Sequence, residues 1–255
     1  MPFERASRAG PSRKALALIS LVVVALALIG GALSGLVNPT VTKSVAAQGI
    51  SSAKTGTALA ALATLAVKGR APKTGYDRAA FGQAWADVDR NGCDTRNDVL
   101  RRDLTAFVVK AGTHGCVVLA GTLQDPYTAT TIGFVRGQST SAEVQIDHVV
   151  ALSDAWQKGA QQLSEDTRRA LANDSLNLLA VDGRANQRKS DGDAATWLPP
   201  NKPYRCPYAA RQVAVKAKYK LWVTSAERDA LGRILATCPL QLLPAVAAFV
   251  LGDGR

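Results

Sequence analysis

The sequence is poor in the residues that most often carry chemistry. Two histidines occur, His114 and His148, and four cysteines, Cys93, Cys116, Cys206 and Cys238. None of the cysteines forms a C-x-x-C pair, which argues against a zinc ribbon. No cysteine closely follows the apolar N-terminal run, which argues against a lipoprotein anchor. There is no internal repeat, and no zinc-finger or homeodomain pattern that would read bases. Acid is scarce relative to base: 31 lysines and arginines stand against 20 aspartates and glutamates, a formal charge of +11. An excess of that sign favours a polyanionic partner, either nucleic acid or an anionic envelope polymer.

What is present begins with a leader. "RASRAGPSRK" (5–14) is basic, and "ALALISLVVVALALIGGALSGLV" (15–37) is apolar and uncharged. A positive flank before such a run is the pattern of a secretory signal peptide or a membrane anchor, and the run is long enough to span a bilayer. Small residues in "SVAAQG" (44–49) offer a cleavage site. Residues 1–46 are therefore expected to be a signal peptide or anchor, 47–70 a linker or a loosely attached helix over "ALAALATLAV", and 71–255 one domain with its own core. Either form of the leader places the remainder outside the cytoplasm, secreted or membrane-anchored. The membrane is then touched only through an uncleaved leader. The leader holds +4 of the charge, which leaves +7 for the rest. An even number of cysteines in an exported chain points to two disulfides. Of three connectivities the local one is expected, Cys93–Cys116 with Cys206–Cys238, each bridge stabilising by about 3 kcal/mol through loop entropy.

Within the domain, "YDRAAFGQAWADVDR" (76–90) spaces Phe81, Trp85 and Val88 as an amphipathic helix, ended by a turn at "NGC". "DVLRRDLTAFVV" (98–109) mixes helical and extended signals. "CVVLAGTL" (116–123) and "TTIGFVRG" (130–137) read as a hairpin around Pro126, and "AEVQIDHVVAL" is a third extended run. Helices are expected over 151–160 and 164–174, with Ser164 as N-cap, then a strand at "LNLLAV" (176–181) and a helix starting at 184. Pro207 suits the first position of a helix over 208–222, and "TSAE" (224–227) is a capping box opening the last one. The class is α+β. The apolar tail after Pro239 is too short to span a membrane and is expected to pack on the domain.

"VQIDHVVAL" (144–152) sets Asp147 beside His148 inside an apolar strand, and the order that follows is strand with Asn177, turn, helix with Asn186 and Lys189. That layout resembles the ββα-metal finger of HNH endonucleases. "CDTRNDVL", "DPYTAT", "DHVVALSDAWQKGA", "NDSLNLLAVDGRANQRKSD", "WLPPN" and "RCPY" extend the resemblance to an exported HNH family related to the C-terminal domain of GmrSD-type restriction enzymes, over roughly residues 76–238. The resemblance implies an HNH nuclease finger embedded in a disulfide-stabilised single domain. It implies His148 as general base, Asp147 and Asn186 as ligands of one divalent metal, and Asn177 as a backbone brace that orients His148. Lys189 and Arg188 would meet phosphate, and Arg96 would approach the scissile group. An asparagine at 186 departs from the strict H-N-H letters and shifts preference from Zn²⁺ towards Mg²⁺ or Mn²⁺. The implied substrate is DNA, with RNA second, and the chain is taken as a monomer.

Each residue has a plainer role available. A histidine in an apolar strand can be merely hydrogen-bonded, Asn186 can cap a helix end, and Asn173 reads as a turn residue. His114 reads as a loop residue beside a disulfide, and Trp85, Trp156 and Trp197 as core or loop anchors. Asp147 and His148 point to opposite faces of a regular strand, so sharing one site requires a bend or strand end there. The competing function is a non-catalytic extracytoplasmic protein that binds nucleic acid or an anionic polymer.

Overall fold

The computed structural model describes residues 54–138 and 140–244. The chain divides into residues 1–45 and 46–255, and all described residues belong to the second unit. The expected leader lies outside the described residues, as do residues 245–255 of the tail, while residues 239–244 are described and Leu243 packs on the core as expected. Among the described residues no helix is long and apolar enough to cross a membrane.

The unit is mixed α/β. Helix α1 (Ala58–Thr64) comes first, then α2 (Thr95–Asp103), which passes directly into β1 (Leu104–Val109). Strands β2 (Val118–Gln124) and β3 (Thr131–Val135) complete an antiparallel sheet of order β1-β2-β3. The hairpin expected around Pro126 is the β2–β3 pair, in register from Ala120↔Val135 to Gln124↔Thr131. Strand β4 (Val144–His148) does not join this sheet. It pairs antiparallel with β5 (Leu178–Asp182), from Val144↔Asp182 to His148↔Leu178. Helices α3 (Leu152–Gln157) and α4 (Glu165–Ala172) fill the connection between them. Helix α5 (Gly183–Lys189) follows β5 directly, and α6 (Arg205–Lys218) and α7 (Ser225–Ala236) close the order.

The caps follow the sequence. Ser164 Oγ accepts from Thr167 N–H at 3.3 Å, and Thr224 Oγ1 accepts from Glu227 N–H at 3.2 Å. Helix α6 differs from expectation, starting at Arg205 with Pro207 as its third residue. The helix expected over 76–90 is absent. Only a single 3-10 turn forms, Arg78–Phe81, and Trp85 and Arg90 both take positive φ, 60° and 58°. The break lies at Gly82, which closes that turn at φ 77°, and the positive φ of Trp85 keeps a right-handed helix from resuming. The segment expected to be a linker or loosely attached helix contributes α1, whose Leu59 and Leu62 pack with Val213 of α6 and Leu231 of α7.

Strand alternation sorts the β4–β5 pair. Val144 and Ile146 join Leu178 and Ala180 in a core with Val99, Leu123 and Phe134. The other face carries Leu179 and Val181 against Ala185 of α5. The disulfides have the local connectivity, Cys93–Cys116 and Cys206–Cys238.

A buried charge cluster ties α3, α6 and α7 together. Lys158 Nζ lies 2.7 Å from Asp154, 2.7 Å from Asp193 and 2.6 Å from Glu227. Lys216 reaches Glu227 at 2.9 Å and Asp154 at 3.3 Å, and Arg70 adds Asp193 at 2.7 Å and Asp154 at 3.0 Å. Three acids thus meet three bases, and both lysines are fully buried. Burial pushes the Asp193 carboxyl up, but Lys158 and Arg70 outweigh it and hold it below its ordinary value. Removing one partner from such a cluster leaves an uncompensated interior charge. Lys158→Met is expected to lose about 3–5 kcal/mol of stability, read as a lowered urea midpoint with the transition still cooperative.

Candidate active site at the end of strand β4

The strand stops at His148, and this end is where its two faces come together. Gln145 and Asp147 face α5, while His148 faces the end of α4. A cleft of about 450 Å³ nevertheless reaches Asp147, His148 and Asn186 together, with Gln145, Arg78 and Asp191 also on its wall.

His148 is 8 % exposed. Its Nε2 lies 2.8 Å from the carbonyl of Ala172, the last residue of α4. A carbonyl can only accept, so Nε2 carries the proton and Nδ1 keeps a bare lone pair. Trp85 stacks over the ring, with centroids 6.3 Å apart and planes 18° from parallel. Burial pushes the imidazole down to about 3, the charges of Arg78 and Lys189 push the same way, and the Ala172 bond opposes them. The ring is therefore neutral at neutral pH. On its Trp85 side lies a second cavity of about 250 Å³, walled by Phe81, Trp85, Leu152 and Asn173.

Asn177 is fully buried and braces the turn after His148. Its Oδ1 accepts from Val150 N–H at 2.8 Å, its Nδ2 reaches the carbonyls of Val150 and Leu171 at 3.3 Å each, and its own carbonyl accepts Val149 N–H at 2.8 Å. The turn is thereby tied to the same helix whose last carbonyl holds His148.

Helix α5 faces the other side of β4. Asp182 caps it, accepting from Ala185 N–H at 2.6 Å. Asn186 Nδ2 donates to Gln145 Oε1 at 2.9 Å, and Asn186 Oδ1 has no partner among the described residues. One turn on, Lys189 is fully inward: Nζ lies 2.9 Å from Asp147 Oδ1 and 2.9 Å from the His148 carbonyl. Tyr127 donates to Asp147 Oδ2 at 2.5 Å. Burial raises the Asp147 carboxyl, with Lys189 and Tyr127 opposing.

Asp147, His148 and Asn186 therefore share one cleft, with Asn177 behind them. Two expectations do not fit this placement. Lys189 cannot meet phosphate, because its ammonium is committed to Asp147 and His148 in the interior. Arg96 sits half-buried on the first turn of α2, with Arg136 and Asp94 as its nearest charges, and lines neither cavity beside His148. Arg188 is exposed and lines an adjoining groove with Lys73 and Arg70, and Asp191 belongs to both groove and cleft. Arg78 is the cation missed in the sequence. It is exposed, forms no ion pair among the described residues, and lines both cavities at His148. Tyr127 and Gln145 were missed as well. Only their long-range partners give them a role, and no local motif marks them.

Asp147 and Asn186 present hard oxygen donors. A carboxylate has about four lone-pair positions, so the bonds from Lys189 and Tyr127 leave room for an ion. Ligating carboxylates are ordinarily held by such neighbouring donors. With Asn186 Oδ1 beside it, this carboxylate offers oxygen donors of the kind that suit a hard cation.

His148 also links stability to pH. A histidine held neutral by burial contributes stability that is present above its unfolded value of 6.5 and lost as pH falls towards about 3. His148→Gln is expected to flatten that part of the stability profile, measured as urea midpoints between pH 6.5 and 4.

Comparison with known proteins identifies relatives of the chain. Residues 94–234 match the family described as GmrSD restriction endonucleases, C-terminal domain. A protein of Arthroderma benhamiae, described as an uncharacterized secreted protein, is 38% identical over 184 residues, which is 71% of this chain and 85% of that one. No solved structure matches. With more than half of its length matched, and with a relative this similar, the chain belongs to the family of the C-terminal domain of GmrSD restriction endonucleases.

Proposed function

We propose that this protein is an exported, metal-dependent HNH endonuclease that hydrolyses phosphodiester bonds of DNA, and of RNA as a second substrate. The observation that carries the reading is the shared cleft: a neutral histidine of fixed tautomer faces the same space as a carboxylate and a free amide oxygen. Family membership and the relative described as secreted support it. The β4–β5–α5 order, antiparallel strands followed at once by a helix, is the layout expected of a ββα finger. The leader at 1–46 serves export, cleaved or retained as an anchor, and the folded nuclease follows as one domain.

In this reading His148 takes the proton of the attacking water at Nδ1, and the Ala172 carbonyl steadies the imidazolium that forms. Trp85 holds the ring plane. Asn177 fixes the turn, so that His148 keeps its aim. Asp147 and Asn186 would hold a divalent cation, which would supply charge neutralisation to the phosphodiester. Lys189 opposes the upward push of burial on the Asp147 carboxyl and holds it in place, which makes it a positioning residue. Arg78 offers its guanidinium to a phosphate at the mouth of the cleft, while Arg188 and Lys73 track the neighbouring backbone without reading sequence.

Supercoiled plasmid incubated with the purified protein in Mg²⁺ or Mn²⁺ is expected to be nicked and then degraded, and EDTA is expected to stop it. His148→Ala is expected to lose roughly 10²–10⁴-fold in rate with its cooperative unfolding and DNA affinity retained. Full cleavage by that variant would remove His148 as the base. Binding without turnover in either metal would leave a nucleic-acid-binding protein instead.

A further inference from the structure

The stretch Asp87–Asp98, "DVDRNGCDTRND", has a second pattern that the cleft does not use. Aspartate stands first and third, asparagine fifth, glycine sixth, and aspartate twelfth. EF-hand loops surround calcium with this spacing: side-chain oxygens at one, three and five, a backbone carbonyl at seven, a carboxylate at twelve, and glycine at six for the sharp turn.

The structure bends the chain accordingly. Gly92 takes φ +87°, a conformation that favours glycine. Asp87 accepts the amides of Asn91 and Gly92, Asp89 accepts the side-chain amide of Asn91 at 3.2 Å, and Asn91 Oδ1 accepts Cys93 N–H at 2.8 Å. Helix α2 leaves the loop at its ninth residue, Thr95.

A separate observation comes from Asp98 on that helix. It is 4 % exposed, and no cation pairs with its carboxylate among the described residues. Its polar neighbours are the Asn91 amide, Asp89, Asp87 and Arg101, so it faces into the loop against two like charges. The Asn91 amide and the more distant Arg101 offset only part of what burial and the two like charges cost this carboxylate, and a cation held by the loop would offset more of it.

We propose that residues 87–98 bind one Ca²⁺ through Asp87, Asp89, Asn91, the Cys93 carbonyl and Asp98. Among the described residues no three His, Cys, Asp or Glu side chains stand together as a finished cage. The carboxylates therefore close on the ion by rotating towards it. Two ligands, an amide and a carbonyl, are neutral, and the loop is adaptable, which favours Ca²⁺ over the rigid octahedron of Mg²⁺. Aspartate at position twelve is shorter than the usual bidentate glutamate, so the affinity falls in the range of extracellular modules, roughly 10⁻⁴–10⁻³ M.

This site is separate from the cleft and does not depend on the nuclease reading. Its first four ligands precede the family match, which begins at Asp94. The two sites are still mechanically joined. Trp85, which stacks on His148, lies two residues before Asp87, and its carbonyl accepts Thr95 N–H at 3.3 Å. Calcium would therefore order the segment that holds the ring of His148.

The test uses the full chain freed of metal with chelator. Terbium, a calcium surrogate, is expected to luminesce on tryptophan excitation through Trp85, and calcium is expected to displace it at least tenfold more effectively than magnesium. Asp87→Asn combined with Asp98→Asn is expected to abolish this binding, while Asn186→Ala leaves it unchanged. Asp98→Glu, which restores the bidentate ligand, is expected to tighten calcium binding about tenfold and so guards against misfolding as the explanation. The site is overturned by absence of terbium emission in the wild-type chain, by binding that survives the double substitution, by binding lost with Asn186→Ala, or by Asp98→Glu binding no tighter.

Discussion

The ammonium of Lys189 holds the candidate site together. Sealed from water, it grips the carboxylate of Asp147 and the backbone carbonyl of His148 at once. Helix α5 is thereby fastened to the last two residues of β4, and Asn186, one turn earlier on the same helix face, is set against Gln145. An interior lysine is expensive to desolvate, and here its two acceptors offset that cost while fixing the relative position of strand and helix. Asn177 clamps the opposite side through the turn at 149–150. His148 sits between the two clamps, which is why its ring can be both buried and aimed.

The same accounting changes the meaning of the net charge. Lys158, Lys189 and Lys216 are fully buried and neutralised inside the molecule. Their charge offers nothing to a polyanion outside. The cations beside the cleft are few and local: Arg78 at its mouth, and along the adjoining groove Arg188 with Lys73, which pairs with Asp191 at 3.2 Å. Composition suggests a diffusely basic surface, whereas the structure sets these side chains next to His148.

The sequence disclosed the parts with local causes. Helix caps at Ser164 and Thr224, the β2–β3 hairpin around Pro126, the β4 strand and both disulfides follow from turn chemistry, alternation and pairing of neighbours in the chain. Asp147, His148, Asn177 and Asn186 were visible as an ordered set. The failures have physical reasons. The helix expected at 76–90 stops after one turn at Gly82, whose left-handed conformation closes it. Lys189 looked like a surface residue because its partner Asp147 is 42 positions away. Arg78 carried no motif and gains its role only because a 3-10 turn folds over His148. Helix α1 was legible as a short helix, but its firm packing was not, because its partners α6 and α7 lie far along the chain.

The two ends of the described unit also meet. Ala58 N–H donates to the carbonyl of Gln241 at 2.8 Å, and Thr57 forms a bridge with Leu242. Such adjacency means that a short splice could join these ends and new ones could be opened elsewhere, for example in the exposed turn at 111–113. Circularly permuted in that way, the protein would keep every contact around His148, which makes its architecture a matter of spatial neighbourhood more than of the order in which the chain is read.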